Sequence, residues 1–432
     1  MSVELTIMTG LVGIVALLGI MRPAMLFEYP TAIAMLMWFF IIPQAQTIEA
    51  NGEFNDYEPT TTWTYVILCV VMIIVGFYIG AARRNGSTTR SLTDFRAKYN
   101  VDKLIIGATI LVGVGIFALV LVSRELAVKE NNDAWTGPLA FYAMLSMLII
   151  YGASLGWLLY LYTGSKKALS LALIGLGANL PVVLFSAKRE VAFTVAAVFF
   201  LGVFFVRKKS ISRVILLPLV LVGGVLVNQA GTIRGYISAN NSSLIGAITS
   251  NDIINEKVDQ SRNFNETASA VSDIAIAKWT GEYAFFGPYI NTLIQLYVPA
   301  FIVGHDVKDS LKVEITDPQD DIISHYYAPG ATRTGFSDSF QSLHFFGCLI
   351  FFAISYAMGF LWKRAVVGDI LSQLYYMILL SVGLKSVTES TSIFVGGLPL
   401  IFGSTWLVFR YAIIPSQKTS VTLMRHTPQR PA

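Results

Sequence analysis

The run WTYVILCVVMIIVGFYIGAA, residues 63–82, followed at once by Arg83 and Arg84, decides how the rest of the chain is read. It carries no charge, and its length is that of a helix crossing the roughly 30 Å hydrocarbon core of a bilayer. It is continuously apolar and does not alternate, which argues against a strand of a membrane barrel. In lipid a helix satisfies its own backbone hydrogen bonds, so a helix is the expected form. The two arginines mark the side on which the run ends.

Composition extends this reading to the whole chain. Of 432 residues, 54% are hydrophobic and 13% charged, with a mean hydropathy of +0.62. An ordinary soluble globule carries about 25% charged residues. The net charge of +4 does not indicate nucleic acid, because the basic residues gather at the ends of apolar runs and are not interleaved with aromatics. Cys69 and Cys348 fall inside apolar runs and read as buried small hydrophobes. The first apolar run, Leu5 to Ile20, lacks a basic start and a small-residue cleavage site, so it reads as a retained span.

Further candidate spans are Leu5–Met21, Pro30–Ile48, Leu104–Ser123, Pro138–Tyr162, Ala168–Ser186, Val191–Val206, Val214–Gln229, Phe345–Trp362, Ile370–Gly383 and Phe394–Ile413. With residues 63–82 they predict an all-α polytopic membrane protein of about eleven transmembrane helices. The Ile370 run is short and extends through Ser386 if its polar end is included. Three regions follow: helices over residues 1–229, one large polar loop over 230–344, and helices with a tail over 345–432.

Lys and Arg stay on the cytoplasmic side of short loops. Arg83 to Lys103, Lys166 with Lys167, Arg207 to Arg213, Lys363 with Arg364, and Lys418 to Arg430 all share one side if the chain starts outside and ends inside. The acidic connection holding Glu49, Glu53, Asp56 and Glu58 then lies outside, together with Ala230 to His344. One connection breaks this pattern. Ser186-Ala187-Lys188-Arg189-Glu190 is a basic turn placed on the outer side. Either Arg189 pairs with Glu190 or snorkels to headgroups, or the cations are kept there to bind an anion, since charges at membrane depth are costly and usually functional.

The outer loop holds three of the four histidines, His305, His325 and His344. Its Ala268–Ala277 stretch has helical spacing of small apolar residues. Glu282 to Val303 is aromatic and apolar but interrupted by Pro288 and Pro299, and it carries Asn291 and Gln295. A full span there is disfavoured; an interfacial or re-entrant element packed on the helices is expected. No motif for a nucleotide, a metal or a serine hydrolase is present, and the loop histidines lack the spacing of a metal pair. No metal or other cofactor is expected.

What remains is a set of outer cations, Lys188, Arg189, Arg234, Arg262 and Arg333, with His325 near Arg333 in Ser324-His325-Tyr326-Tyr327-Ala328-Pro329-Gly330-Ala331-Thr332-Arg333-Thr334. Arginine's planar fork suits phosphate oxygens, and an imidazole titrates near pH 6.5 and can carry a proton. A lipid-linked phosphate or diphosphate is the substrate class these residues suit. Alternatives stand beside each: Arg234 as a headgroup anchor, His325 as a solvated loop residue, His344 as interfacial packing, and Asp320 with Asp321 as a solvated acidic turn or the source of the base.

Three stretches resemble the Wzy-type oligosaccharide repeat-unit polymerases that build bacterial surface polysaccharides. They are Ser186–Glu190 with the apolar run ending in Arg207-Lys208-Lys209, Tyr289–Asp306 with Leu296-Tyr297-Val298-Pro299, and Thr332–Gly359 with Phe340, Phe346-Gly347 and Met358-Gly359. The match spans Ser186 to Trp362 and rests on pattern. Asp338 is the acid nearest the position before Phe-Gly where that family commonly has one, and His305 and Lys308 stand where a basic residue often follows the Pro299 step. The resemblance implies a glycosyltransferase of GT-C-like fold with a periplasmic loop in a bacterial cytoplasmic membrane. It implies polyprenyl-diphosphate-linked oligosaccharides as substrates and a chain-length regulator and flippase as partners. Arg189, Arg234, Arg333 and Lys188 are expected on the diphosphate and His325 as general base. The alternatives are the related O-antigen ligase and a transporter or flippase of lipid-linked sugar. A transporter should show internal repeats, which this chain lacks.

Overall fold

A computed structural model of the chain describes residues 1–22, 24–52, 54–83, 92–128, 138–180, 189–208, 265–315 and 334–414. The first helices are α1 (Val3–Met21), α2 (Tyr29–Phe39), α3 (Ile41–Asn51), α4 (Pro59–Ala82), α5 (Leu92–Lys98) and α6 (Val101–Val128). After them come α7 (Pro138–Ser146), α8 (Leu148–Thr163), α9 (Lys166–Ala178) and α10 (Arg189–Arg207). The polar segment contributes α11 (Asn265–Thr280), α12 (Gly287–Tyr297), α13 (Ala300–Val303), α14 (His305–Ser310) and α15 (Gly335–Leu343). The last three are α16 (Cys348–Val367), α17 (Ile370–Thr388) and α18 (Thr391–Ala412). No strand occurs among the described residues; Tyr99 and Ile413 form a single antiparallel bridge.

Eight stretches are long and apolar enough to cross a membrane: Val3–Met21, Tyr29–Ala50, Pro59–Ala82, Val101–Arg124, Pro138–Thr163, Gly335–Val367, Ile370–Thr388 and Thr391–Ala412. The chain is an all-α polytopic membrane protein. α17 is central, with 78% of its apolar window buried, and α1 is peripheral at 28%. Its outward residues Ile7, Ile14 and Leu17 are exposed, as lipid-facing side chains are.

Several expected boundaries shift. The second span divides at Phe40 and the fifth at Met147. The sixth is helical only over Lys166–Ala178, and its expected remainder beyond Leu180 lies outside the described residues, as does Val214–Gln229. The tenth runs to Thr388, so its polar end is helix. The ninth begins earlier than Phe345, because the helix α15 precedes it and the last residues of the expected loop, up to His344, are folded into the bundle.

The closest pairing is α4 on α16, which run parallel. Phe352 O and Tyr356 O lie against Gly76 and Gly80, and Phe77 O lies against Gly359. A methyl group at these positions would stand 2.6, 2.2 and 2.0 Å from those oxygens. Ser355 completes the seam by donating its hydroxyl to Ile73 O. Between apolar helices in lipid there is no hydrophobic drive to associate, so small residues that let backbones touch supply the attraction.

The two ends of the bundle differ. At one end Arg83 donates to Tyr356 (2.8 Å), Arg364 pairs with Asp369 (3.1 Å), Lys208 donates to Val366 O, and Lys103 lies over the Tyr411 ring. At the other end Glu49 accepts from the Ser2 backbone N–H (2.6 Å) and from Trp63 Nε1 (2.9 Å), tying α1, α3 and α4 together. Onto this second end the helices of the polar segment are packed.

Replacing Gly80 or Gly359 with leucine should separate α4 from α16 and cost at least the roughly 1–3 kcal/mol typical of overpacking. The measurement is the thermal midpoint of detergent-purified protein. Gly10→Ala on α1, where nothing lies within 4 Å, should leave it unchanged.

Candidate functional site

The polar run Gly335-Phe-Ser-Asp-Ser-Phe-Gln-Ser is buried throughout, from Gly335 to Ser342. A helix this polar tolerates burial when most of its side chains find partners. Ser339 and Ser342 turn back onto their own helix, donating to Gly335 O (2.6 Å) and Asp338 O (2.7 Å). Ser339 also meets the Tyr65 hydroxyl at 2.8 Å. Gly335 is required where α15 crosses the end of α17: a Cβ there would stand 1.7 Å from Ser386 O. The helix stops at His344, whose φ of +49° turns the chain, and whose ring stacks on Tyr283 (4.0 Å) and Phe340 (5.1 Å).

Asp338 is the centre of the arrangement. Its Oδ2 accepts from the Ser390 hydroxyl (2.6 Å), the Thr391 hydroxyl (2.9 Å) and the Ser392 N–H (3.1 Å), and its Oδ1 accepts from the Thr391 N–H (3.3 Å). The carboxylate therefore caps the first turn of α18 from another helix. There the free N–H groups and the helix dipole favour negative charge. Thr391 in turn meets the Tyr289 hydroxyl at 2.7 Å, so one residue of α18 joins α15 and α12.

α12 continues down α18. Thr292 donates to Ser392 (2.8 Å). The Tyr297 hydroxyl donates to Gly396 O (2.8 Å) and accepts from the Leu400 N–H (3.1 Å). In an unbroken helix the Leu400 N–H would bond Gly396 O directly. Pro399 lies inside α18, and Tyr297 fills the turn opened beside it, as inserted side chains do at helix kinks. The chain then turns at Pro299 and Gly304 and comes back along α12. Lys308 Nζ reaches Gln295 O (3.0 Å), and the Asn291 amide bonds Val313 in both directions (2.9 and 2.8 Å). Residues 287–315 form a hairpin packed on α18, with Pro288 at the start of α12 and Pro299 just past its end.

α11 lies beside α15, α3 and α4, buried from Thr267 to Ala277. Thr267 donates its N–H (3.1 Å) and hydroxyl (2.6 Å) to Gln44 Oε1. Asp273 is fully buried. At the far end Lys278 pairs with Glu58 and Trp279 stacks on Tyr57. The Lys278 ammonium, hydrogen-bonded to Glu58, holds that carboxyl below the usual carboxylate range.

Lys188, Arg234, Arg333 and His325 lie outside the described residues, as do Arg262, Asp320 and Asp321. Arg189 is described only as the first residue of α10. Arg333 directly precedes Thr334, the residue before α15. His305 opens α14 at an exposed position. His344 packs on aromatic rings, the interfacial alternative named above. Cys69 and Cys348 are free and buried. Sequence reasoning left Asp338 as the nearest match to a family position and missed Tyr289 and Tyr297. The available signal was a run of Ser, Asp and Gln with almost no charge directly before an apolar span.

No family model matches the chain, and no curated protein or solved structure matches it.

Asp338→Ala should destabilise the protein by about 1–3 kcal/mol or more, because several donors at a buried helix end lose their acceptor. Asp338→Asn should fall between it and the wild type. Tyr297→Phe removes only the bridge at the kink and should cost less than Asp338→Ala. Thermal unfolding in detergent ranks all three. Strong acidification should loosen the end of α11. Glu58 has a folded pKa below its unfolded value, so its small contribution is full above about pH 4.3 and is lost as pH falls through the folded value. Amide exchange at residues 277–280 should rise below that pH, and Lys278→Ala should abolish the change.

Proposed function

We propose that this protein is a membrane glycosyltransferase that joins polyprenyl-diphosphate-linked oligosaccharides into surface polysaccharide at the outer face of a bacterial cytoplasmic membrane. The supporting observation concerns the described residues of the long polar segment, 265–315 and 334–344. They are folded into one end of the bundle through α11, α12 and α15, opposite the end that carries Arg83, Lys208 and Arg364. The positive-inside rule makes the latter end cytoplasmic, with the N-terminus outside, the C-terminus inside and about eleven spans in total. This arrangement is the one a GT-C-like transferase needs, with a lipid-soluble donor held in the bundle and a water-soluble acceptor arriving from outside.

In the reaction the acceptor's sugar hydroxyl attacks the anomeric carbon of the donor. The new oxygen–carbon bond forms as the bond to the diphosphate oxygen breaks, and the hydroxyl proton passes to the base. Negative charge grows on the departing polyprenyl diphosphate, where fixed cations stabilise it most strongly if water is excluded. Arg189, Arg234 and Arg333, with Lys188, are the residues assigned to that charge, and His325 is the base on the attacking hydroxyl. α15, braced by Asp338, begins two residues after Arg333. No metal or nucleotide takes part in this scheme. A chain-length regulator and a flippase are its expected partners.

Arg189→Ala, Arg333→Ala and His325→Ala, each at normal membrane levels in a deletion strain, should lower polymer formation by about 10²–10³-fold, the range seen when one group that stabilises developing charge is removed. Polysaccharide length on gels is the readout. Long chains persisting in all three would overturn the site. Single repeat units on the lipid acceptor would identify a polymerase, and lipid-linked polymer without any capped product would identify the ligase.

A further inference from the structure

At the end of the bundle that the positive-inside rule makes cytoplasmic, α6 and α18 meet in a tight antiparallel seam. A Cβ at Gly107 would stand 2.6 Å from Val408 Cγ1. One turn nearer the helix ends, Lys103 Nζ lies 5.3 Å from the centre of the Tyr411 ring. The segment leading into α6 closes the same corner. The Asn100 N–H donates to Ala412 O (2.8 Å), the Ile414 N–H donates to Lys98 O (3.0 Å), and Tyr99 bridges Ile413. The Tyr99 ring meets that of Phe409 at 5.2 Å and has Lys98 Nζ over its face, also at 5.2 Å. Lys98 and Lys103 are thereby held beside residues 411–414, where α18 itself supplies Arg410.

The charge at this corner is one-sided. Residues 95–103 and 405–414 carry Arg96, Lys98, Lys103 and Arg410 against the single carboxylate of Asp102. None of the four cations forms an ion pair among the described residues. A tyrosine face steadies an ammonium group without using up its three N–H donors, so both lysines keep donors for an anion. The depth is that of headgroups. Lys103 and Arg410 lie within a turn of their helix ends. Trp406 and Tyr411, exposed at 61% and 53%, are the amphipathic rings that gather at a membrane–water boundary. Toward the midplane Ile106, Ile110 and Leu407 are exposed, and Gly403 has nothing within 4 Å, which leaves an apolar shelf beside the seam.

We propose that this corner binds an anionic phospholipid of the inner leaflet, its phosphate held by Lys98, Lys103 and Arg410 and its acyl chains lying along Ile106, Ile110 and Leu407. One headgroup then joins α6, α18 and the segment before α6. Clustered cations next to a membrane helix are attracted to negative lipid in this way, and the apolar shelf selects a lipid over a free phosphate. The site rests on the orientation proposed above and not on the reaction, whose assigned residues belong to the opposite end.

The test takes the full chain in detergent and follows its thermal midpoint and native mass spectrum with phosphatidylglycerol, phosphatidylcholine or inorganic phosphate added. Phosphatidylglycerol should raise the midpoint by several degrees and stay bound in the spectrum; the other two should do neither. The triple variant Lys98→Gln, Lys103→Gln, Arg410→Gln should lower phosphatidylglycerol affinity about a hundredfold, a little under tenfold for each cation removed from an anionic surface. The triple Lys166→Gln, Lys167→Gln, Lys363→Gln removes as many exposed cations from the same end and should leave the affinity within about twofold, since charges beyond a Debye length are screened. Equal losses in the two triples would overturn the site and leave only a general attraction to the positive end. Phosphatidylcholine binding as well as phosphatidylglycerol would overturn the role of the cations, and inorganic phosphate giving the same shift would overturn the lipid. If the first triple lacks the wild-type midpoint without lipid, Arg410→Gln alone replaces it; that variant should bind several-fold more weakly, and unchanged affinity would overturn the proposal.

Discussion

A carboxylate buried at the end of a membrane bundle must be matched by donors, and Asp338 is matched by four. This one requirement organises the polar end of the protein. Because the donors belong to residues 390–392, α15 is held to the start of α18. Because Thr391 also meets Tyr289, the hairpin is drawn into the same knot. A residue without an acceptor at position 338 would leave the first turn of α18 with unpaired N–H groups in a setting that offers little water to replace them. The cluster is satisfied as a unit and fails as a unit, which is the character of buried polar networks.

The apolar half of the fold obeys a different rule. Along α4 and α16 there is no charge to match, and contact depends on Gly76, Gly80, Ser355 and Gly359 giving up side-chain volume so that backbone can meet backbone. Dispersion and weak Cα–H contacts act only at short range, so this seam tolerates little added volume. The seam and the knot are linked. Gly347, at the start of α16, lies under the Tyr65 hydroxyl and Ser339 O, and Tyr65 bonds Ser339 of α15. The position of α15 is thereby set from both sides, by glycine packing below and by Asp338 above.

Spans were legible in the sequence because a bilayer imposes one length and one composition on each of them. The runs 63–82 and 104–123 fall within observed helices, and 394–413 passes the end of its helix by one residue. The break at Phe40 had a local mark in Pro43, which cannot bond the carbonyl of Phe39 and so sits in the first turn of a new helix; the break at Met147 has no proline or glycine beside it and is decided by tertiary packing. The polar end was harder for a physical reason. Hydropathy reports what a side chain prefers when alone, and Asp338, Ser339 and Ser342 are buried because their partners come from other helices or from their own carbonyls. Such pairing has no local signature. The hairpin was partly legible, because Pro288 and Pro299 mark where α12 starts and ends, but its attachment through Tyr297 was not.

Pro399 explains why that attachment sits where it does. A proline in a membrane helix frees a carbonyl and weakens the turn around it, and the loss is tolerated when a neighbouring group takes up the freed bonds. Tyr297 does so with a single hydroxyl that both donates and accepts, a pairing phenylalanine cannot make. The Pro399 turn of α18 and the end of α12 are therefore one structural feature contributed by two distant parts of the chain. A hairpin held only by lipid contacts would be free to leave the bundle. Anchored at Thr391, Ser392 and the Pro399 turn, it is held along the first turns of α18 by hydrogen bonds that do not depend on lipid.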